Sequence, residues 1–168
     1  MGIRSALTNA APAVRRYLFG VCGDWDRAED LAQEALLKAW QAREHFDGRS
    51  DITTWLFTIA RNHWLDSLRS ERRRPREGTM RVEPAQDAPW FSPPARAAWA
   101  EMAEAIDDAL DELPPEQREA LALRESEGLT FAEIAVTLNV PVATVKSRVR
   151  YALLKMAASL RPFREAPQ

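Results

Sequence analysis

The side chains in this sequence that could do chemistry are suited to gripping a polyanion, not to making or breaking bonds. Between Thr144 and Met156 the stretch TVKSRVRYALLKM holds Lys146, Arg148, Arg150 and Lys155 and no acid. A second basic run, RSERRRPR from Arg69 to Arg76, has five arginines against one glutamate. Just before it lie Thr58 and Asn62, neutral hydrogen-bonding side chains at helical spacing. Guanidinium and ammonium groups bind phosphates, and neutral amides and hydroxyls beside them can read bases. Nothing comparable points to catalysis. His45, His63 and the single Cys22 lack metal-ligand spacing. The chain has no nucleophile–base pair and no phosphate-binding glycine loop. It calls for no cofactor and no metal.

The 168 residues can hold one ordinary domain or two small ones. Apolar content is 46% and charged content 29%, enough for packed cores. A lone cysteine excludes an internal disulfide and fits a cytoplasmic setting. No apolar run approaches the roughly 18 residues of a membrane span, and the N-terminus has no signal-peptide pattern. The formal net charge of -2 hides an uneven layout. Thirteen acids between Glu83 and Glu133 face only Arg96, Arg118 and Arg124. Two basic patches flank this acidic middle, the layout of a chain that touches nucleic acid at two places.

Helical periodicity dominates, so the fold class expected is all-α: two small helical domains joined by a flexible linker. Residues 1–76 form the first domain and 98–168 the second. Residues 77–97 form the linker, within a stretch that contains Pro84, Pro89, Pro93 and Pro94. In the first domain, Asp26 to Arg43 is a helix whose apolar stripe is Ala28, Leu31, Ala32, Ala35 and Ala39. Its other face carries Asp30, Gln33, Glu34 and Gln41 with Leu37 among them, an apolar side chain suited to docking a partner. The next helix runs from Ile52 to Arg69. Ile52, Trp55, Leu56, Ile59 and Ala60 form one apolar stripe, and Phe57, Trp64 and Leu68 form another. Trp55 and Trp64 are expected in the core. The strip Thr54, Thr58, Asn62 and Arg69 lies between the stripes and leads into the arginine cluster.

In the second domain a helix from Trp99 to Glu112 stops at Pro114 and Pro115. Glu116 to Glu127 forms the next, with Gly128 as its cap. Thr130 with Glu133 is a capping box that opens a short helix. The turn at NVP leads to a last helix that begins at Val142. Val142, Val145, Val149, Leu153 and Met156 are expected on its buried face. Thr144, Ser147, Arg148, Tyr151 and Lys155 project opposite, flanked by Lys146 and Arg150. A short capped helix, a tight turn and a basic second helix make a helix-turn-helix that enters the major groove.

With these segments in hand, the chain resembles the extracytoplasmic-function sigma factors of bacterial RNA polymerase, the short type with regions 2 and 4 only. AEDLAQEALLKAW resembles the region 2 helix that docks on the polymerase clamp. TWLFTIARNHWLDSLRSERRRP resembles the helix that opens and reads the −10 element. DELPPEQREALALRESEGLTFAEIAVTLNVPVATVKSRVRYALLKM resembles region 4, which reads the −35 element. The resemblance implies a sigma factor that binds core polymerase through the clamp helices and the flap and directs promoter-specific initiation. It implies clamp contact by Asp30, Gln33, Glu34 and Leu37. It implies −10 contacts by Asn62 and the loop Phe46 to Ile52, including Arg49 and Ser50. Thr58, Arg69, Arg72 and Arg73 extend that surface. It implies −35 contacts by Arg124, Thr144, Lys146, Ser147, Arg148 and Tyr151, with Lys155 beyond them. An anti-sigma factor is an expected further partner, with no membrane insertion, and the place of work is the nucleoid when polymerase is bound. The family usually has a further helix ahead of the segment ALTNAAPAVRRYLFG, and only a few residues precede it in this sequence. Phe131 stands where the family often has a tyrosine.

Two rival readings predict different features. A response-regulator output protein needs a phospho-accepting domain with alternating strands, and the first 76 residues carry helical patterns instead. A sigma-like decoy binds an anti-sigma factor without reading DNA and need not keep basic reading faces, whereas this chain has both.

Overall fold

The computed structural model describes residues 2–71, 93–125 and 129–164, all helices and short turns. The arginines Arg72 and Arg73, most of the expected linker and the cap expected at Gly128 lie outside the described residues. Helix α1 (Ile3–Cys22) was not anticipated. Leu7, Ala10, Val14, Tyr17 and Leu18 recur on one buried face, and Pro12 sits inside the helix without ending it. Gly23 closes α1 in the left-handed conformation at φ 72°, its amide donating to Phe19 O at 2.8 Å. Asp24 then opens α2 (Trp25–Gln41), accepting a hydrogen bond from the Arg27 amide at 2.8 Å. Adjacent stop and start signals turn the chain within two residues and let α1 and α2 pack together.

The buried residues of α2 are the expected Ala28, Leu31, Ala32, Ala35 and Ala39. The helix ends at Gln41, and a 3₁₀ turn, Arg43–His45, takes over its last expected residues. Helix α3 (Ile52–Glu71) carries two apolar stripes because it meets neighbours on two sides, α1 and α2 on one and α6 on the other. Trp64 is buried, but Trp55 is only partly so and leans on Phe46 with ring centroids 5.1 Å apart. Thr54, expected on the polar strip, is 1% exposed and its hydroxyl lacks a hydrogen-bond partner.

Helix α4 (Pro93–Asp111) takes up the last five residues of the expected linker, Pro93 and Pro94 among them. Prolines suit a first helical turn, whose amides have no partner in any case. Helices α5 (Pro115–Glu125), α6 (Phe131–Leu138) and α7 (Val142–Ser159) follow, with a short α8 (Arg161–Arg164). The expected buried face of α7 is shifted. Val145, Val149 and Ala152 are buried and Met156 packs beside them, whereas Val142 and Leu153 are exposed at 38% and 50%. The reason is that Leu113 and Leu121 approach α7 at Ala152, one residue round the wheel from Leu153.

The larger surprise is that the two halves share one core. Val14, Tyr17 and Leu18 of α1, Leu56 and Phe57 of α3, and Leu123, Ile134 and Val145 of the C-terminal helices belong to one continuous apolar cluster. Helix α1 lies on α5, and α3 lies on α6. Gly20 makes the first contact possible, because a Cβ there would come within 2.9 Å of Ala122 Cβ. Gly20→Ala is therefore expected to lower stability. Overpacking costs about 1–3 kcal/mol, more than the ~1 kcal/mol that alanine adds as the better helix former. Adding Ala122→Gly should recover most of the loss in urea unfolding. A Gly20→Ala chain as stable as its parent would mean that α1 and α5 stand further apart.

Candidate nucleic-acid and partner surfaces

On α2, Asp30, Gln33, Glu34 and Leu37 are all exposed and face away from the alanine stripe. Leu37 is 56% exposed and Trp40, three residues on, is 41% exposed. Arg43 lies over the Trp40 ring at 4.4 Å and donates to Trp40 O at 2.8 Å. Trp40 was not among the residues expected on this face, though its i+3 spacing from Leu37 is the signal that finds it. Glu34 reaches to α3, its Oε2 standing 2.8 Å from His63 Nε2, while Lys38 Nζ lies 2.7 Å from His63 Nδ1. His63 Nε2 makes no hydrogen bond, although the Glu34 carboxylate stands beside it. Gln33 donates to Glu29 at 3.0 Å.

The loop between α2 and α3 and the exposed side of α3 carry the second group. Gly48 takes a positive φ of 71° there, and the amide of Arg49 donates to Asp47 Oδ1 at 3.1 Å. The Arg49 side chain is 89% exposed. Phe46 and Ser50 are partly buried and Asn62 is exposed. Thr58 donates its hydroxyl to Thr54 O at 2.9 Å, so that hydrogen stays within the helix. Arg69 is exposed and pairs with Asp66 at 2.8 Å.

The third group is on α7. The capping box at the start of α6 is present, with the Thr130 amide donating to Glu133 Oε2 at 2.6 Å and the Glu133 amide donating to Thr130 Oγ1 at 3.2 Å. Asn139 takes a left-handed conformation at φ 54°, which an asparagine tolerates, and turns the chain into α7. Burial of Val145, Val149 and Ala152 leaves Lys146, Ser147, Arg150, Tyr151 and Lys155 exposed, with Thr144 and Arg148 partly so. Ser147 donates to Thr144 O at 2.9 Å. Arg124, at the end of α5, stands over the Phe131 ring at 4.8 Å, and Lys146 approaches the same ring at 5.9 Å.

A helix-turn-helix with a basic outer face, beside a three-helix unit with an exposed polar and apolar stripe, matches two family models. Residues 7–74 match sigma-70 region 2, and residues 103–156 match sigma-70 region 4. The chain is 35% identical over 164 residues to the ECF RNA polymerase sigma factor EcfG of Rhodopseudomonas palustris, covering 94% of this chain and 84% of that one. This chain belongs to the ECF sigma factors. It is also 37% identical over 154 residues to the RNA polymerase sigma-H factor of Pseudomonas aeruginosa, covering 85% of this chain and 78% of that one. A solved structure of the sigma factor RpoE of Bartonella quintana, in complex with the anti-sigma factor NepR, superposes with a TM-score of 0.76. It has 28% identity and covers 94% of this chain and 96% of that one.

Within this sigma factor, no described helix is long and apolar enough to cross a membrane. The fold brings the exposed stripe of α2 and the strip of α3 together through Glu34, Lys38 and His63, but keeps the α7 face separate. It also joins residues that the sequence did not single out. Arg61 Nε donates to Glu119 Oε1 at 2.8 Å, and Tyr17 Oη donates to the same oxygen at 3.3 Å. Arg118 Nε donates to Gly20 O at 2.6 Å while its Nη1 pairs with Asp111 at 2.6 Å. Burial pushes the Tyr17 phenol well above its ordinary pKa, and the Glu119 carboxylate adds to that rise. These contacts tie region 2 to region 4. No local sequence signal marks them, because Tyr17 and Glu119 are 102 residues apart.

Proposed function

We propose that this ECF sigma factor docks on the polymerase clamp through Asp30, Gln33, Glu34 and Leu37, with Trp40 extending the contact. Residues 1–76 work as the clamp and −10 unit, in which Asn62 and the loop from Phe46 to Ile52 take an unstacked base. Thr58, Arg69, Arg72 and Arg73 guide the strand. Residues 98–168 work as the −35 unit, and residues 77–97 join the two. In that second unit Arg124, Thr144, Lys146, Ser147, Arg148, Tyr151 and Lys155 meet the duplex. The observation that carries the reading is the acid-free outer face of α7, held outward by the burial of Val145, Val149 and Ala152. The chain performs no chemistry of its own and works at the nucleoid. An anti-sigma factor that covers its polymerase-binding faces keeps it inactive.

The closed arrangement bears on how it works. Elements named for positions −10 and −35 lie about 25 base pairs apart, or ~85 Å at ~3.4 Å per pair. A folded chain of 168 residues has a radius of gyration of about 15 Å. One closed molecule does not span that distance, so α5 and α6 leave α1 and α3 when both elements are bound. Run-off transcription with core polymerase, followed by start-site mapping, tests the reading. Promoter-specific transcripts are expected, and a decoy that only binds a regulator would give none. Arg148→Ala should lower −35-dependent initiation about ten-fold, within the ~1–3 kcal/mol of a base-edge contact.

A further inference from the structure

We infer that Phe131 is a positioning residue for −35 recognition, its ring acting as the platform on which Arg124 and Lys146 converge. The inference rests on the reading of α7 as the −35 surface. The two cations come from different helices, the end of α5 and the start of α7, and both approach the same ring, at 4.8 and 5.9 Å. Among the described residues, no carboxylate pairs with either cation there. Arg124 otherwise donates, among the described residues, to Leu129 O, at a long 3.4 Å. Two like charges at one spot repel each other. The negative face of an aromatic ring is the neutral group that offsets this without cancelling the positive charge. An acid in its place would hold the cations equally well but would also repel phosphate.

The ring is itself held. Phe131 is the first residue of α6, directly after the Thr130 cap whose reciprocal bonds with Glu133 fix the local backbone. It is partly buried and packs on the shared core. Phe131 has no hydroxyl, so it cannot hydrogen-bond a phosphate and acts through the cations. Long arginine and lysine side chains lose rotamer freedom when they settle on DNA. Side chains already gathered on a ring have less freedom to lose.

The test uses the full chain with core polymerase on a promoter found by start-site mapping, with promoter binding read across a salt series. Phe131→Leu keeps apolar volume but removes the π face, and is expected to weaken binding about five- to thirty-fold for two lost cation–π contacts. Phe131→Trp, with the stronger π face, should bind at least as tightly as the parent. In an Arg124→Ala/Lys146→Ala background, neither ring substitution should change binding further. The proposal is overturned if Phe131→Leu binds like the parent, or if its loss persists in that background. It is equally overturned if Phe131→Trp behaves like the leucine variant. Should the leucine variant not fold, the tryptophan variant with and without the two cations decides alone. If Arg124→Ala/Lys146→Ala and Arg148→Ala all leave −35-dependent binding unchanged, the −35 reading fails and the proposal with it. If those substitutions weaken binding and Phe131→Leu does not, only the platform fails.

Discussion

Glu119→Ala is expected to lower the stability of the closed chain by about 3–5 kcal/mol, the usual consequence of removing one partner of a buried ion pair. Glu119 and Arg61 have side-chain exposures of only 14% and 21%. Without the carboxylate, a largely buried guanidinium keeps its charge and loses its counterion. The Tyr17 hydroxyl, in a residue with no exposed surface, loses its acceptor as well. The cost arises from the stranded partners and not from the net worth of the pair. Arg61→Met combined with Glu119→Leu should therefore lie near the parent or above it. Urea unfolding followed by circular dichroism measures all three. A Glu119→Ala chain within about 1 kcal/mol of the parent would mean that the two halves do not close on each other in solution.

The same site connects stability to pH and to activity. Because the folded Tyr17 pKa is raised, its contribution is complete below the ordinary phenol pKa of about 10 and is lost as pH rises through the folded value. Alkaline conditions thus loosen the joint between region 2 and region 4. If, as proposed, the closed form cannot reach both promoter elements, Glu119→Ala at saturating concentration should initiate at or above the parent's level. Run-off transcription in parallel with unfolding separates this outcome from simple damage, which lowers both.

Leu37→Asp is expected to weaken binding to core polymerase by about 100-fold or more while leaving the fold intact. Leu37 is 56% exposed, on the side of α2 opposite its buried alanines. Covering a leucine side chain at an interface contributes about 1.5–3 kcal/mol. A carboxylate in its place forfeits that gain and must also be desolvated against the partner. Trp40→Ala, on the same stripe, should weaken binding too, and Tyr151→Ala on α7 should weaken clamp binding far less. Fluorescence anisotropy against core polymerase gives the affinities, and thermal melting checks the fold. Unchanged affinity for Leu37→Asp would show that the clamp meets a different face.

The elements that could be read from the sequence are those whose instructions lie within a few residues of each other. The five buried residues of α2 follow from i, i+3, i+4 spacing alone. The capping box of Thr130 and Glu133 and the opening of α7 at Val142 were equally legible. Caps, turns and amphipathic stripes are short-range chemistry, and so was the exposed Leu37. Helix α1 has a comparable stripe from Leu7 to Leu18, but Pro12 in its middle masks it.

Periodicity says which face of a helix is apolar, but not what will cover it. Thr54 reads as part of a polar strip until the helices packed around α3 bury it. Leu153 reads as core until Leu113 and Leu121 settle on Ala152 instead. The joint formed by Gly20 with Ala122, and by Tyr17 and Arg61 with Glu119, has no sequence signature at all. A glycine within a helix, or an arginine beside an asparagine, acquires its meaning only from a partner far along the chain. That the chain is a sigma factor was determined by its local patterns. That regions 2 and 4 close over one core was decided only by tertiary packing, because apolar burial is non-directional and accepts any complementary surface within reach.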